Sequence, residues 1–140
     1  MEKKSVSDEV LAGLFDKALE ALRLSYSPYS KFPVGAAVLL SDGRVFTGCN
    51  VENRSYGLTN CAERTAVFKA VSEGGRRISA VAIAAPKADY PVGPCGACRQ
   101  VLTEFGDGSV PVIFGPERGN VRTATLGELY PLDSLHELAE

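Results

Sequence analysis

Between positions 8 and 24 the apolar residues Leu11, Leu14, Phe15, Ala18 and Leu22 recur every three or four positions. That spacing predicts an amphipathic helix with one buried face, and Ser7 or Asp8 is placed to cap its start. Tyr26-Ser27-Pro28-Tyr29-Ser30 then reads as a loop. An apolar run over 33–40, the turn pair Asp42-Gly43 and a second run over 45–49 predict a β-hairpin. The polar stretch 50–60 reads as a loop. A second helix is expected from about Cys61 to Ser72, with Ala66, Val67, Ala70 and Val71 on its apolar face and Gly74-Gly75 as its stop. Positions 78–85 are almost wholly apolar, which suits a central strand covered on both faces.

Three prolines and a glycine make 86–94 a loop, and a third helix is expected over 95–105. The run 110–114 reads as a strand whose Pro111 sits either at its start or near a sheet edge. A last strand is expected over 121–125, and the tail from Leu126 is weakly helical. Connection lengths add topology. The second and third strands, and the third and fourth, are joined through helices and should run parallel. Only 115–120 joins the last two strands, too short for a parallel crossover of about a dozen residues. Those two should therefore form an antiparallel hairpin, giving an α/β fold with a five-stranded mixed sheet and helices on both faces.

The length of 140 residues fits one domain spanning 1–140. Apolar residues make up 45% of the chain, enough for a core. Net charge is −2, so nothing points to a nucleic-acid or membrane partner, and a small, nearly neutral ligand fits better. Met1-Glu2-Lys3-Lys4 leads into no long apolar stretch, so neither a signal peptide nor a membrane span is expected and the cytoplasm is the default compartment. Thiols stay reduced there, which makes the four cysteines candidates for metal binding or catalysis rather than disulfides.

Three of those cysteines fall in two motifs. One is Cys61-Ala62-Glu63. The other is Pro94-Cys95-Gly96-Ala97-Cys98-Arg99-Gln100. Cys95 and Cys98, three apart on a helix, would share a face and reach one metal. Helix N-termini favour negative charge, so thiolates are expected at both motifs. Three thiolates leave one tetrahedral position of a zinc ion open, the arrangement of a catalytic site. Glu63 sharpens the picture. Residues two apart in mid-helix point about 200° apart. Cys61 and Glu63 can serve one site only if it lies beyond the helix N-terminus, with Glu63 beside the open position. A water there would have its pKa lowered to about 7, and Glu63 could move its protons. Arg64 and Arg99, each directly following a motif, could offset the negative charge of three thiolates.

Other readings stand beside this one. Cys49 could complete a structural four-cysteine zinc site. Two disulfides, or a non-catalytic zinc-binding interaction module, would also use these cysteines. Glu63, Arg64 and Arg99 could be solvated surface charges, Asn50 and Glu52 simple polar loop residues, and Phe32 ordinary core packing.

Taken together, Cys61-Ala62-Glu63 and Pro94-Cys95-Gly96-Ala97-Cys98 resemble the zinc deaminase signature in its three-cysteine form, in which the glutamate is not a ligand. Pro28-Tyr29-Ser30-Lys31-Phe32, Gly48-Cys49-Asn50-Val51-Glu52-Asn53 and Cys61-Ala62-Glu63-Arg64-Thr65-Ala66 narrow the resemblance to the small homotetrameric cytidine deaminases, over about 26–130. Editing and tRNA deaminases carry His in place of Cys61 and a helix between the last two strands, and this chain has neither. The only histidine, His136, reads as a surface residue.

The resemblance implies a three-layer α/β/α cytidine-deaminase-like fold and a homotetramer with one Zn2+ per subunit. It implies Cys61, Cys95 and Cys98 as zinc ligands and Glu63 as the catalytic proton shuttle. Asn50 and Glu52 would bind the ribose 3′-hydroxyl, Phe32 would flank the pyrimidine, and the Ala62 backbone would contact the base carbonyl. Arg64 would support the thiolates, and Tyr56 would sit near the subunit contact that closes the site. The chain departs from many members in having no aromatic residue after Leu129-Tyr130-Pro131, where Leu132 or Leu135 would have to serve. The implied reaction is hydrolytic deamination of cytidine and 2′-deoxycytidine, a step of pyrimidine salvage. The alternative substrate is an aminonucleoside of the blasticidin S type, against which the Asn50-x-Glu52 pair argues.

Overall fold

The structure, a computed structural model, describes residues 5–135 and 138. The first helix, α1 (Asp8–Ala21), begins where expected, with the Ser7 side chain accepting from the Val10 N–H at 3.1 Å. It ends in a single 3-10 turn, Leu22–Leu24, rather than running on as α-helix. The strands are β1 (Gly35–Leu40), β2 (Val45–Cys49), β3 (Ile78–Ala84), β4 (Pro111–Glu117) and β5 (Asn120–Thr125). Helices α2 (Ala62–Ser72) and α3 (Gly96–Phe105) interrupt them, and a short helix α4 (Leu126–Leu129) follows β5. Thr125 and Glu128 form a reciprocal capping box that starts α4 immediately after the strand.

The five strands lie in the order β2-β1-β3-β4-β5. β3 and β4 are parallel, β4 and β5 antiparallel, and β1 is antiparallel to both neighbours. β2 and β3 therefore run the same way, as their connection through α2 requires, yet β1 lies between them. The crossover carries the chain over the first strand, which the linker length alone does not specify. Pro111 opens an interior strand, where its missing N–H costs no ladder bond. β4 and β5 extend further than expected and leave only Arg118-Gly119 as the turn.

Side chains alternate between two apolar layers. On one face Ala37, Ala80, Ala82 and Ala84 pack against Leu11, Leu14, Phe15 and Ala18 of α1. Small residues there let α1 lie close: a Cβ on Gly35 would stand 1.9 Å from the Ala18 carbonyl oxygen. On the other face Ala36, Val38, Val81, Ile83, Val112 and Phe114 pack against Ala66, Val67 and Ala70 of α2 and Leu102 of α3. The result is the three-layer α/β/α arrangement. Among the described residues no helix is long and apolar enough to cross a membrane. His136 lies outside the described residues.

Candidate functional site

α2 and α3 sit on the same face of the sheet, and their N-termini meet. Neither Cys61 nor Cys95 is helical. Each is the N-cap residue of its helix, with extended φ/ψ of −75°/156° and −68°/167°. This replaces the shared helix face expected for Cys95 and Cys98: Cys95 projects off the end of α3, and Cys98, in its first turn, reaches back toward it. Neither cap side chain bonds the helix amides, so the sulfurs are free to turn toward each other. The sulfurs of Cys61, Cys95 and Cys98 lie within 4.8 Å of one another, with Cys61 and Cys95 3.8 Å apart. Cys98 is fully buried, Cys61 half-buried and Cys95 exposed. Cys49, on β2, stands outside the cluster, and all four cysteines are free thiols.

The donor set fits zinc. A tetrahedral ion with bonds of about 2.3 Å holds its sulfurs about 3.8 Å apart, and three thiols leave one position for an exchangeable ligand. Charge is arranged to suit. Cys61 is pulled down to about 5, first by the hydrogen bond from the Cys98 thiol and then by the Arg64 guanidinium and Cys95. Cys98, which gives that hydrogen bond and is buried, is pushed up. Arg64 Nη2 donates to the Cys61 sulfur at 3.3 Å, while its buried Nε has no partner among the described residues. Arg99 does not share this task. It donates to the carbonyls of Pro94 and Leu129, both at 2.7 Å, and ties the Pro94 corner to α4.

Glu63 is the second residue of α2 and is only 5% exposed. Burial pushes its carboxyl up to about 6, against a hydrogen bond from its own amide; the Cys61 charge raises it further and a bond from Cys98 opposes that. A buried carboxyl in contact with the thiol cluster is therefore poised near neutrality, as a proton carrier should be. Ala62, wholly buried, opens α2 with an N–H that the helix cannot satisfy.

A small ladder attaches the remaining candidates. Tyr26 bridges to Val51, and Val51 pairs with Asn60, the residue before Cys61, through two bonds of 2.9 Å. Asn50 is buried at the end of β2. Its Oδ1 accepts from the Val34 N–H at 3.0 Å and from the Ser25 hydroxyl, and its Nδ2 donates to the Phe32 carbonyl at 2.8 Å. Backbone partners thus fix the orientation of the amide and leave one N–H for a ligand. Glu52 Oε1 accepts from the Tyr29 and Ser30 N–H groups at 2.9 and 3.1 Å, and Oε2 from the Ser30 hydroxyl. Phe32 is half-buried in the same loop and belongs to neither core cluster. Tyr56 is 77% exposed and meets the Tyr29 ring edge-on at 6.3 Å. Leu132 is 97% exposed. The sequence reading missed Ser25 and Ser30: loop serines look like punctuation, and only the fold brings them to Asn50 and Glu52.

Comparison with known proteins gives one consistent answer. The sequence model described as "Cytidine and deoxycytidylate deaminase zinc-binding region" matches residues 9–114. A cytidine deaminase of Sporosarcina psychrophila is 51% identical over 118 residues, 84% of this chain and 86% of the relative. A crystal structure of cytidine deaminase from Burkholderia pseudomallei superposes with a TM-score of 0.83 at 44% identity, covering 91% of this chain and 98% of that one. A blasticidin-S deaminase of Bacillus cereus is 29% identical over 126 residues, 85% of this chain and 88% of the relative.

Proposed function

Since the chain belongs to the cytidine and deoxycytidylate deaminases with a zinc-binding region, we propose that it hydrolyses cytidine and 2′-deoxycytidine to uridine and 2′-deoxyuridine, releasing ammonia. One observation carries this: a buried carboxyl, that of Glu63, set against three convergent thiols at the meeting of two helix N-termini. Cys61, Cys95 and Cys98 hold one Zn2+ per subunit, which when bound supplies a water acidic enough to attack at neutral pH.

Glu63 does the proton work. It takes a proton from the attacking water and delivers it to N3 of the pyrimidine as C4 becomes tetrahedral. It then takes the second proton from the new C4 hydroxyl and gives it to the departing amine, and the C4–N bond breaks as the carbonyl forms and ammonia leaves. The free N–H of Ala62 holds the base carbonyl. Phe32 flanks the ring. Asn50 and Glu52 take the 3′-hydroxyl: Asn50 through its remaining N–H, Glu52 through the acceptor capacity its three donors leave. Arg64 keeps Cys61 a thiolate. The whole chain works as one catalytic domain.

Exposed Leu24, Tyr26, Tyr29, Tyr56, Leu58 and Leu132 support assembly, because apolar surface of this kind is normally covered. We assign them to a homotetramer in the cytoplasm, with Tyr56 at the contact that closes a neighbour's site. The ligands are small nucleosides, not nucleic acid or membrane.

The test is to incubate zinc-loaded protein with cytidine, 2′-deoxycytidine and blasticidin S, following ultraviolet absorbance and ammonia. Both cytosine nucleosides should be consumed and blasticidin S should not. No turnover of any of the three would overturn the reading.

A further inference from the structure

We infer that Ser30 is a positioning residue that couples the sugar-binding side of the site to the aromatic residue on its base side. The inference rests on the nucleoside deaminase reading above. Both backbone polar groups of Phe32 are held, one by Asn50 and the other by Ser30, which is itself bound to Glu52. The Phe32 carbonyl accepts from Asn50 Nδ2 at 2.8 Å, and its N–H donates to the Ser30 hydroxyl oxygen at 3.0 Å. A hydroxyl has one proton to give, and Ser30 gives it to Glu52 Oε2. The Glu52 carboxylate therefore fixes which way the Ser30 oxygen faces, and the Ser30 oxygen fixes the Phe32 amide.

The strap is more than one bond. Glu52 Oε1 also takes the Tyr29 and Ser30 amides, so three donors of one loop converge on one carboxylate. Lys31, between Ser30 and Phe32, has φ of 59°. That left-handed conformation disfavours a residue with a Cβ, and on either side of it the Phe32 N–H reaches back to the Ser30 hydroxyl. Apart from the Lys31 N–H bond to the Ser27 carbonyl at 3.0 Å and the Tyr29–Tyr56 ring contact, the loop has little packing: Tyr29, Ser30 and Lys31 are exposed, and Phe32 lies outside both core clusters. The Ser30 hydrogen bond and the two amides hold the Glu52 carboxyl below its ordinary value, consistent with a charged anchor. Glu52 and Asn50 thus act on the base through Phe32 as well as on the ribose directly.

A substrate without the 3′-hydroxyl separates the two roles. Ser30→Ala, Ser30→Thr and Glu52→Ala would be compared with the parent protein, zinc-loaded, on cytidine and on 2′,3′-dideoxycytidine. Ser30→Ala should lower kcat/KM about tenfold on both nucleosides, as for a lost hydrogen bond to a charged group. Ser30→Thr should recover most of that. Glu52→Ala should impair dideoxycytidine as well as cytidine. Amide hydrogen exchange at Tyr29 and Phe32 should speed up in Ser30→Ala while the melting temperature, reading the distant core, holds. Parent-like rates for Ser30→Ala, no recovery with Thr, or a Glu52→Ala defect confined to cytidine would each overturn the inference. A parent protein that turns over neither nucleoside would instead defeat the functional reading, and the exchange rates would still report on the strap.

Discussion

The Arg64 guanidinium reaches back over the first turn of α2 and donates to the Cys61 sulfur at 3.3 Å. A helix that would ordinarily be capped by Ser, Thr, Asp or Asn has a thiolate there instead, and Arg64 supplies the partner. Removing a group of this kind typically costs about 10–100-fold in metal affinity. Arg64→Ala should therefore release zinc to a competing chelator dye at correspondingly lower chelator concentration at pH 7. Arg64→Lys, a point charge without the planar fork, should fall between.

Glu63 contacts the thiols without belonging to their set of ligand atoms. Glu63→Gln keeps its shape and cannot carry protons. Its zinc content, measured by metal analysis after gel filtration, should equal that of the parent. Its kcat for cytidine should fall by about 10²–10⁴-fold, the usual contribution of a general acid–base group.

The raised carboxyl of Glu63 also sets a pH trend in the metal-free protein. A group whose folded pKa lies above its unfolded one binds its proton more tightly when folded. Its contribution is then complete below the unfolded value of 4.5 and is lost as pH rises through about 6. That loss is on the order of 1 to 2 kcal/mol for a shift of this size. In chelator-treated protein, urea unfolding should show Glu63→Gln gaining on the parent between pH 4.5 and 7 and level thereafter. A constant difference across that range would contradict the assignment.

Cys49 is removed from the cluster and carries a thiol raised by burial. Cys49→Ser should retain zinc and activity. Serine at Cys61, Cys95 or Cys98 should lose both, and chelation of the parent should abolish turnover that added zinc restores. Zinc loss in Cys49→Ser would revive a structural four-cysteine site.

Gly48 is where β2 lies against α2. A Cβ there would meet Ala66 N at 2.5 Å and the Ala62 oxygen at 2.7 Å, both backbone atoms that cannot swing aside. Gly48→Ala should destabilise the fold by roughly 1–3 kcal/mol, the usual cost of overpacking. By pushing the first turn of α2 off the sheet, it should also lower kcat more than KM. Urea unfolding and steady-state kinetics on the same preparation would check both.

Local order and local chemistry were legible from residue spacing. Helical spacing of apolar residues in α1 and α2, continuous apolar runs and the turn residues between them located the main helices and strands. Cys61 and Glu63 cannot share a mid-helix face, so a common site has to lie at the N-terminus of α2, and Cys61 is the N-cap there. Sequence identity then fixed the family, because the zinc and proton chemistry resides in residue types at short spacing. What only the tertiary structure decided involves groups far apart in the chain. Nothing local places β1 between β2 and β3, since a crossover of given length passes over one strand or none. Nothing local distinguishes Arg64, bound to a thiol, from Arg99, bound to the Leu129 carbonyl thirty positions away. Nor does the sequence bring Ser30 to Glu52, twenty-two positions on. A side chain's partner depends on where the backbone around it is held, and in this protein the sheet order and the Tyr26–Val51–Asn60 ladder hold it.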